Sequence, residues 1–401
     1  MITPDELSNA PLDIVEMYAE LEDFIISDMA RRISNIEFSA TSEKQLLNAI
    51  ELGFDQNYIE DKIADILKIS KKALATKMLE YAKKNISAEN KLYKKADMNT
   101  FDIKNKKLKQ YLKKAELQTK GEFDNITGSL GFAKKENGKI VYDDIANMYV
   151  KTANFANMQV ATGVTTRQQA VKQAVDKLSK SGLRYVNYES GYSMNVQDAV
   201  NMSVRTSINQ MCSKMNNHMM NENIPEDEQY AEVTYHYPHR PDHWWGGMVF
   251  KVKGSGNGYD NLYDITRLGY GDGLEGYNCR HSHHVFIPGI SIRAYTDKQL
   301  EQMKEKSKQT TEYNGKQYTA YEATQRQRTI ERSIRQTKRE ILTYQSADLK
   351  DDLVNSQIKL QRQKEEYKKF CKTMNLTQQP ERTQQYGFGR SDAQKARYAT
   401  K

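Results

Sequence analysis

Between Pro11 and Pro225 the chain contains no proline. A residue that breaks helices and central strands alike is missing from more than half its length, which leaves room for long uninterrupted helices. Four of the seven prolines and ten of the 21 glycines then fall within Pro225–Gly289, together with both tryptophans, Trp244 and Trp245. All seven histidines lie between His218 and His284. The distribution predicts a mainly α chain whose long helical N- and C-terminal regions flank a small α+β domain. We divide it into a helical region over 1–120, a helical middle region over 121–224, the small His/Cys-containing domain over 225–295, and a basic helical region with a mobile tail over 296–401.

Local patterns fill in this frame. Ile14, Met17, Tyr18, Leu21, Phe24, Ile25, Met29 and Ile33 recur at helical spacing. "SEKQLLNAIELG" reads as a helix capped by Ser42 and stopped at Gly53, and 57–85 as two helices broken near Ile69–Ser70. The lysine-rich 91–120 reads as an exposed helical connector. Asn137-Gly138 predicts a tight hairpin turn. A helix follows with Ile145, Met148, Tyr149, Phe155 and Met158 on one side, then another with Thr165 and Gln168 as a capping box and Gly182 as its stop. Val196, Val200, Val204, Ile208, Met211 and Met215 form one helical stripe. "YAEVTYHY" alternates like a strand, with Val233 and Tyr235 on one face and Thr234 and His236 on the other, and "GGMVFKV" and "HHVFI" supply two more.

Composition narrows the classes. The chain is 38% hydrophobic and 28% charged, and it has no run of apolar residues long enough to span a membrane. The acidic N-terminal stretch lacks the apolar core of a secretory signal. Three widely spaced cysteines, Cys212, Cys279 and Cys371, make no disulfide framework. These features predict a soluble product of a reducing cytoplasm. The net charge of +8 is uneven: residues 91–120 hold ten lysines against Asp97, Asp102 and Glu116. Arg328, Arg332, Arg335 and Arg339 recur along one helix at a spacing that places them on one face. Such a stripe suits DNA phosphate or an acidic protein surface, or is a solvated helix face.

The chemistry-bearing residues concentrate in "HYPHRPDHWW" and "GYNCRHSHHVFIPG". His236, His243, Cys279 and His281 are candidate ligands for zinc, with Asp242, Asp264 and Asp272 available behind them. Neither CxxC nor HExxH is present, so the alternative is a packed core in which histidines and arginines hydrogen-bond loop backbone. A Cys279/His nucleophilic pair is a third reading, with Arg280 as a cation that would favour the thiolate, but no protease signature surrounds it. No cofactor other than zinc is implied. "GSGNGYDN" contains G-x-G-x-G without a strand before it or a helix after it, so it is not a phosphate loop.

These segments carry a resemblance. The chain resembles the phage minor capsid protein 2 family of tailed phages and prophages and, more distantly, is similar to Mu-type head morphogenesis proteins. "LDIVEMYAELEDFIISDMARRI", "GVTTRQQAVKQAVDKLSKSGLRYVNYESG" and "VQDAVNMSVRTSINQ", with Arg205, resemble the family's helical regions. Arg240, Pro241, His243 and Phe250 resemble its RP-x-H…F signature, and Asn278, Cys279, Arg280, His281, Pro288 and Gly289 its GxNCRH…PG signature. "YEATQRQRTIERSIRQTKRE" resembles its Arg-rich helix. The loop after His243 is a residue shorter, and His283-His284 replaces an aromatic pair. The resemblance implies a structural, non-enzymatic head protein of the virion, bound near the portal during assembly in the host cytoplasm. Its partners would be the portal, other head proteins and DNA, and no membrane. Alternatives are a metal-dependent hydrolase or nuclease built on the His/Cys zone, and a DNA-binding protein packaged in the head. The resemblance implies that Arg240, His243, Asn278, Cys279, Arg280 and His281 are structural, with Arg280 and His281 fastening their loop to "RPDH".

Overall fold

The protein's structure, a computed structural model, describes residues 2–36, 42–136, 139–187 and 189–399. In chain order its elements are α1 (Pro4–Asn9), α2 (Leu12–Asn35), α3 (Ser42–Lys95), α4 (Lys106–Gly128), β1 (Leu130–Glu136), β2 (Lys139–Asp144), α5 (Ile145–Ala161) and α6 (Arg167–Ser181). There follow β3 (Arg184–Asn187), β4 (Tyr192–Asn195), α7 (Val196–Asn223), β5 (Tyr230–Val233), β6 (Val249–Lys251), α8 (Leu262–Thr266) and β7 (His283–Phe286). The chain closes with α9 (Asp297–Lys308), β8 (Thr310–Tyr313), β9 (Lys316–Thr319), α10 (Ala320–Ser346), α11 (Lys350–Thr373) and α12 (Arg390–Tyr398). It is mainly α with small antiparallel sheets, as the proline and glycine distribution predicts.

Packing groups the chain into two compact units, each built from three segments. The first contains Met1–Ile14, Ser70–Phe123 and Val200–Glu322; the second contains Val15–Ile69, Asp124–Ala199 and Ala323–Lys401. Every passage of the chain from one unit to the other falls inside a helix: α2, α3, α4, α7 and α10.

In the first unit, Leu74, Met78, Ala82 and Ile86 of α3 and Val204, Ile208, Met211 and Met215 of α7 are buried at helical spacing. The sheet runs β6-β5-β7, antiparallel throughout, with Ala231 opposite both Phe250 and Val285. All four residues of β5 are buried. As a central strand it is covered on both faces, so Glu232 is enclosed along with Ala231 and Val233.

In the second unit, the four-stranded sheet runs β2-β1-β3-β4. Glu136 pairs with Lys139, a register that fits a two-residue connection. Asn137-Gly138 itself lies outside the described residues. Ala30, Val171, Val175, Tyr344, Ala347 and Leu349 form one apolar cluster among α2, α6, the end of α10 and the turn after it. The carboxylate of Glu22 is enclosed and accepts from the amide of Leu183 at 2.8 Å and from Gln197 Nε2 at 2.6 Å.

Several local expectations need correction. α3 is one helix of 54 residues that stops neither at Gly53 nor at Ile69–Ser70, and Ser42 is its first residue. The lysine-rich stretch is not a single connector helix: α3 ends at Lys95, Asp97 turns left-handed, and α4 starts at Lys106. The cap of α6 is Thr166, whose side chain accepts from the Gln169 amide, one residue later than the expected box; Gly182 does close the helix at φ +64°. Phe155 and Met158 on α5 are exposed, and Thr152, Ala153, Ala156 and Asn157 take the buried positions. Asn314-Gly315 makes an unpredicted hairpin between β8 and β9, with both residues at positive φ. The terminal segment is not a free tail, because it folds into α12 and buries Ala396.

Candidate functional site

The two signature segments meet in the first unit. After β5 the chain reaches His236, and a 3₁₀ turn over Pro241–His243 swings His243 inward while Trp244 stays 48% exposed. Trp245 turns back into the interior and stacks on His243, ring centroids 4.6 Å apart. From the other side comes the glycine-punctuated loop before Cys279. Its glycines are steric requirements: a Cβ on Gly273 would sit 2.0 Å from the carbonyl oxygen of Arg267, and one on Gly276 would sit 2.3 Å from that of Gly271. Glu275 and Asn278 adopt positive φ to complete the turn.

The loop is held at each step. The Asn278 amide donates to Thr206 Oγ1, and its side-chain oxygen accepts from Arg205, which also donates to the carbonyls of Leu7 and Ser8. Arg240 donates to the carbonyl of Tyr277 at 2.8 Å. The extended run then enters β7, with the Thr234 amide bonded to the Ser282 carbonyl and the Ser282 amide to Thr234 Oγ1.

This path brings His243, Cys279 and His281 together in the interior, at 3%, 2% and 0% exposure. His243 Nδ1 lies 3.4 Å from His281 Nδ1, and Cys279 Sγ lies 3.8 Å and 3.7 Å from those two nitrogens. His243 Nε2 is 3.0 Å from the carbonyl oxygen of Asp272. A carbonyl only accepts, so the proton is on Nε2 and the lone pair of Nδ1 faces the cluster. His236 stacks on His281 at 4.2 Å, and its Nδ1 is 3.3 Å from an Arg280 guanidinium nitrogen. His236 therefore forms a wall of the cluster instead of a corner. Arg280 reaches His236, and Arg240 and the His243–His281 pair also join the loop to "RPDH".

Electrostatics follow burial. Burial and the Arg280 charge push His236 down to about 2. Burial likewise holds His243 and His281 below the ordinary imidazole value. The Cys279 thiol is pushed up to about 11 by burial, against the opposing pull of backbone hydrogen bonds. That is the reverse of the activation a nucleophilic cysteine needs. Burial would also strip His283 of charge, but Glu275, at 2.8 Å from its Nδ1, holds it above the ordinary value. His284 Nε2 lies 3.4 Å from Glu232.

The four arginines of the expected basic stripe do not share one surface. Arg332 is exposed and Arg328 half-buried, whereas Arg335 turns to the carbonyl of Arg382. Arg339 is enclosed in the second unit, 3.1 Å from Glu22 and bonded to the carbonyl of Ser179. No hydrogen bond or ion pair among the described interactions joins the carboxylates of Asp242 or Asp264 to the cluster, although the Asp242 charge acts on His243; Asp272 contributes its backbone, its carboxylate pairing with Arg267.

Sequence reasoning missed Asn209 and Asn216. Asn209 Nδ2 donates to the His281 carbonyl at 2.7 Å, and Asn216 Nδ2 to the His283 carbonyl at 2.9 Å. Two amides seven residues apart lie on one helix face, and their place beside the apolar stripe of α7 was the available signal.

The model of the family described as phage minor capsid protein 2 matches residues 2–372. No curated protein and no solved structure matches the chain. The match takes in the whole His/Cys cluster and the helices on either side of it as far as residue 372, and on that extent the chain belongs to the phage minor capsid protein 2 family.

Proposed function

We propose that this minor capsid protein is a structural, non-enzymatic component of the virion, placed at the portal vertex, where it acts in head morphogenesis. The observation that carries this reading is the family match over residues 2–372, which takes in the first compact unit from its second residue and the second as far as residue 372. The signature residues support a structural role. Arg205, Arg240 and Asn278 are engaged with backbone or with one another, and His243, Cys279 and His281 are enclosed. For a partner of acidic character, the first unit offers the corner between α3 and α4. Lys91, Lys94, Lys95, Lys104, Lys106, Lys107, Lys109, Lys113 and Lys114 are all exposed there. No helix among the described residues is long and apolar enough to cross a membrane.

Co-expression with the portal and the major head proteins of the same phage tests the reading. The expected result is a complex with portal that survives gel filtration, and density for the protein at one vertex of procapsids imaged by electron microscopy. Density distributed over the whole lattice, or none in assembled heads, overturns the portal placement. The same lysine corner favours a second reading, contact with packaged DNA. Titration of DNA binding with salt decides it, because phosphate contacts weaken steeply as salt rises.

A further inference from the structure

We propose that His243 Nδ1, Cys279 Sγ and His281 Nδ1 form a site for a divalent zinc ion, with water in the fourth position. Among the described residues these three are the group of metal-donor side chains whose ligand atoms converge, each within 4.8 Å of the others.

The dimensions of the triangle separate a metal site from a hydrogen-bonded cluster. With zinc–nitrogen bonds of about 2.0–2.1 Å and zinc–sulfur bonds of about 2.3 Å, tetrahedral geometry puts two nitrogens about 3.3 Å apart and a nitrogen and a sulfur about 3.6 Å apart. The observed separations are 3.4 Å between nitrogens and 3.7 and 3.8 Å from sulfur to nitrogen. Hydrogen bonds between ring nitrogens would draw them to about 3 Å, so the nitrogens stand wider than such a bond and close to the edge of a metal tetrahedron.

Orientation supports the same assignment. His243 gives its Nε2 proton to the Asp272 carbonyl, which leaves Nδ1 as a lone pair aimed into the triangle. A ligating histidine is commonly fixed through its other nitrogen by a carbonyl in this way. His281 Nε2 is enclosed without a hydrogen-bond partner, so that ring is not held in place by a bond on its outer side. Cys279 and His281 are two residues apart on the segment that leads into β7, and their ligand atoms lie 3.7 Å from each other. The neighbouring elements hold the triangle in place: Asn209 fixes the His281 carbonyl, and Trp245 and His236 close the sides. One thiolate and two neutral imidazoles are a donor set suited to zinc. On binding, the thiol proton and all but one of the hydrated ion's waters pass to solvent, and the remaining water fills the fourth position.

The test uses the full chain, expressed without a histidine tag in zinc-supplemented medium and freed of loose metal by gel filtration. Elemental analysis is expected to find about one zinc per chain. Replacement by cobalt(II) should show the d–d bands of a four-coordinate site with a thiolate-to-cobalt charge-transfer band. Cys279→Ser, His243→Ala and His281→Ala should each lose most of the metal, while His218→Gln and Cys371→Ser keep it. Folded wild-type protein holding less than about a tenth of an equivalent after incubation with excess zinc overturns the proposal. So does full zinc content unchanged by all three ligand substitutions. If the variants do not fold, the wild-type cobalt spectrum decides alone: four-coordinate bands with thiolate charge transfer uphold the site, and their absence refutes it.

Discussion

Arg339 and Glu22 lie 3.1 Å apart inside the second unit, and neither side chain reaches solvent to any useful degree. A charge so placed belongs to the interior, and its loss strands its partner. Arg339→Ala leaves the Glu22 carboxylate without its cation, and we expect a loss of about 3–5 kcal/mol. Arg332, on the same helix but exposed, should change stability by no more than about 0.5 kcal/mol on replacement by alanine. Urea denaturation of the two variants checks this. Equal effects would show that Arg339 is not engaged as the geometry has it.

Asp23 provides a pH dependence of unusual sign. Burial, with the Glu22 charge beside it, raises its carboxyl from 3.8 to about 6, against the opposing influence of Arg339 and Ser27. Between those two values the folded chain holds a proton that the unfolded chain has released. Stability contributed by this group therefore falls as pH rises through the window, and the cost is complete above about pH 6. Asp23→Asn should stabilise the protein by about 1–3 kcal/mol at pH 7 and by little at pH 4. Denaturation midpoints at several pH values give the answer, and a wild-type-to-variant difference independent of pH would rule it out.

Asn216 joins three elements of the first unit. It accepts from Asn85 Nδ2 at 2.5 Å and donates to the His283 carbonyl at 2.9 Å. Asn216→Ala leaves an amide and a carbonyl enclosed without partners, at a cost of about 1–3 kcal/mol for each group. Asn85→Ala in the same background should cost less than it does alone, with a coupling of about 0.5–3 kcal/mol. Strict additivity in the double-mutant cycle would mean that the two amides do not interact.

The glycines of the signature loop can be set against a glycine in a helix. Gly276→Ala forces a carbon to within 2.3 Å of the Gly271 carbonyl, which has no room to retreat because the Tyr277 amide donates to it at 2.7 Å. We expect loss of soluble protein or a fall in stability of more than about 3 kcal/mol. Gly121, inside α4, has open space where a Cβ would go, so Gly121→Ala should raise stability by about 0.5–1 kcal/mol. Thermal unfolding of both variants separates these outcomes, and a tolerated Gly276→Ala would contradict the close approach.

Much of this architecture is legible in the sequence where the determinants are local. The spacing of Ile14, Tyr18, Leu21 and Ile25 marks α2, and Gly182 marks the end of α6, because periodicity and a left-handed cap act within a few residues. Continuation of a helix is harder to read. Gly53 and Ser70 weaken a helix without ending one, and burial of Leu74, Met78 and Ala82 further along outweighs the local cost. Period also says nothing about which face meets water. Arg328, Arg332, Arg335 and Arg339 do share a side of α10, yet Glu22, far away in the sequence, takes Arg339 inward. The cluster has the same limit. Its residue types stand out in the sequence, but the selection of His243, Cys279 and His281 over His236 depends on a turn, a loop and a strand meeting in space.

The threading of the chain has a consequence for how the molecule can be made and unmade. The polypeptide passes between the two units five times, always inside a helix. Segments needed to complete the first unit extend to Glu322, and those of the second begin at Val15. A ribosome must therefore have released most of the chain before either core can close, and folding by successive domains during synthesis is not open to it. For the same reason one backbone cut anywhere from Val15 to Glu322 divides the covalent framework of both units at once.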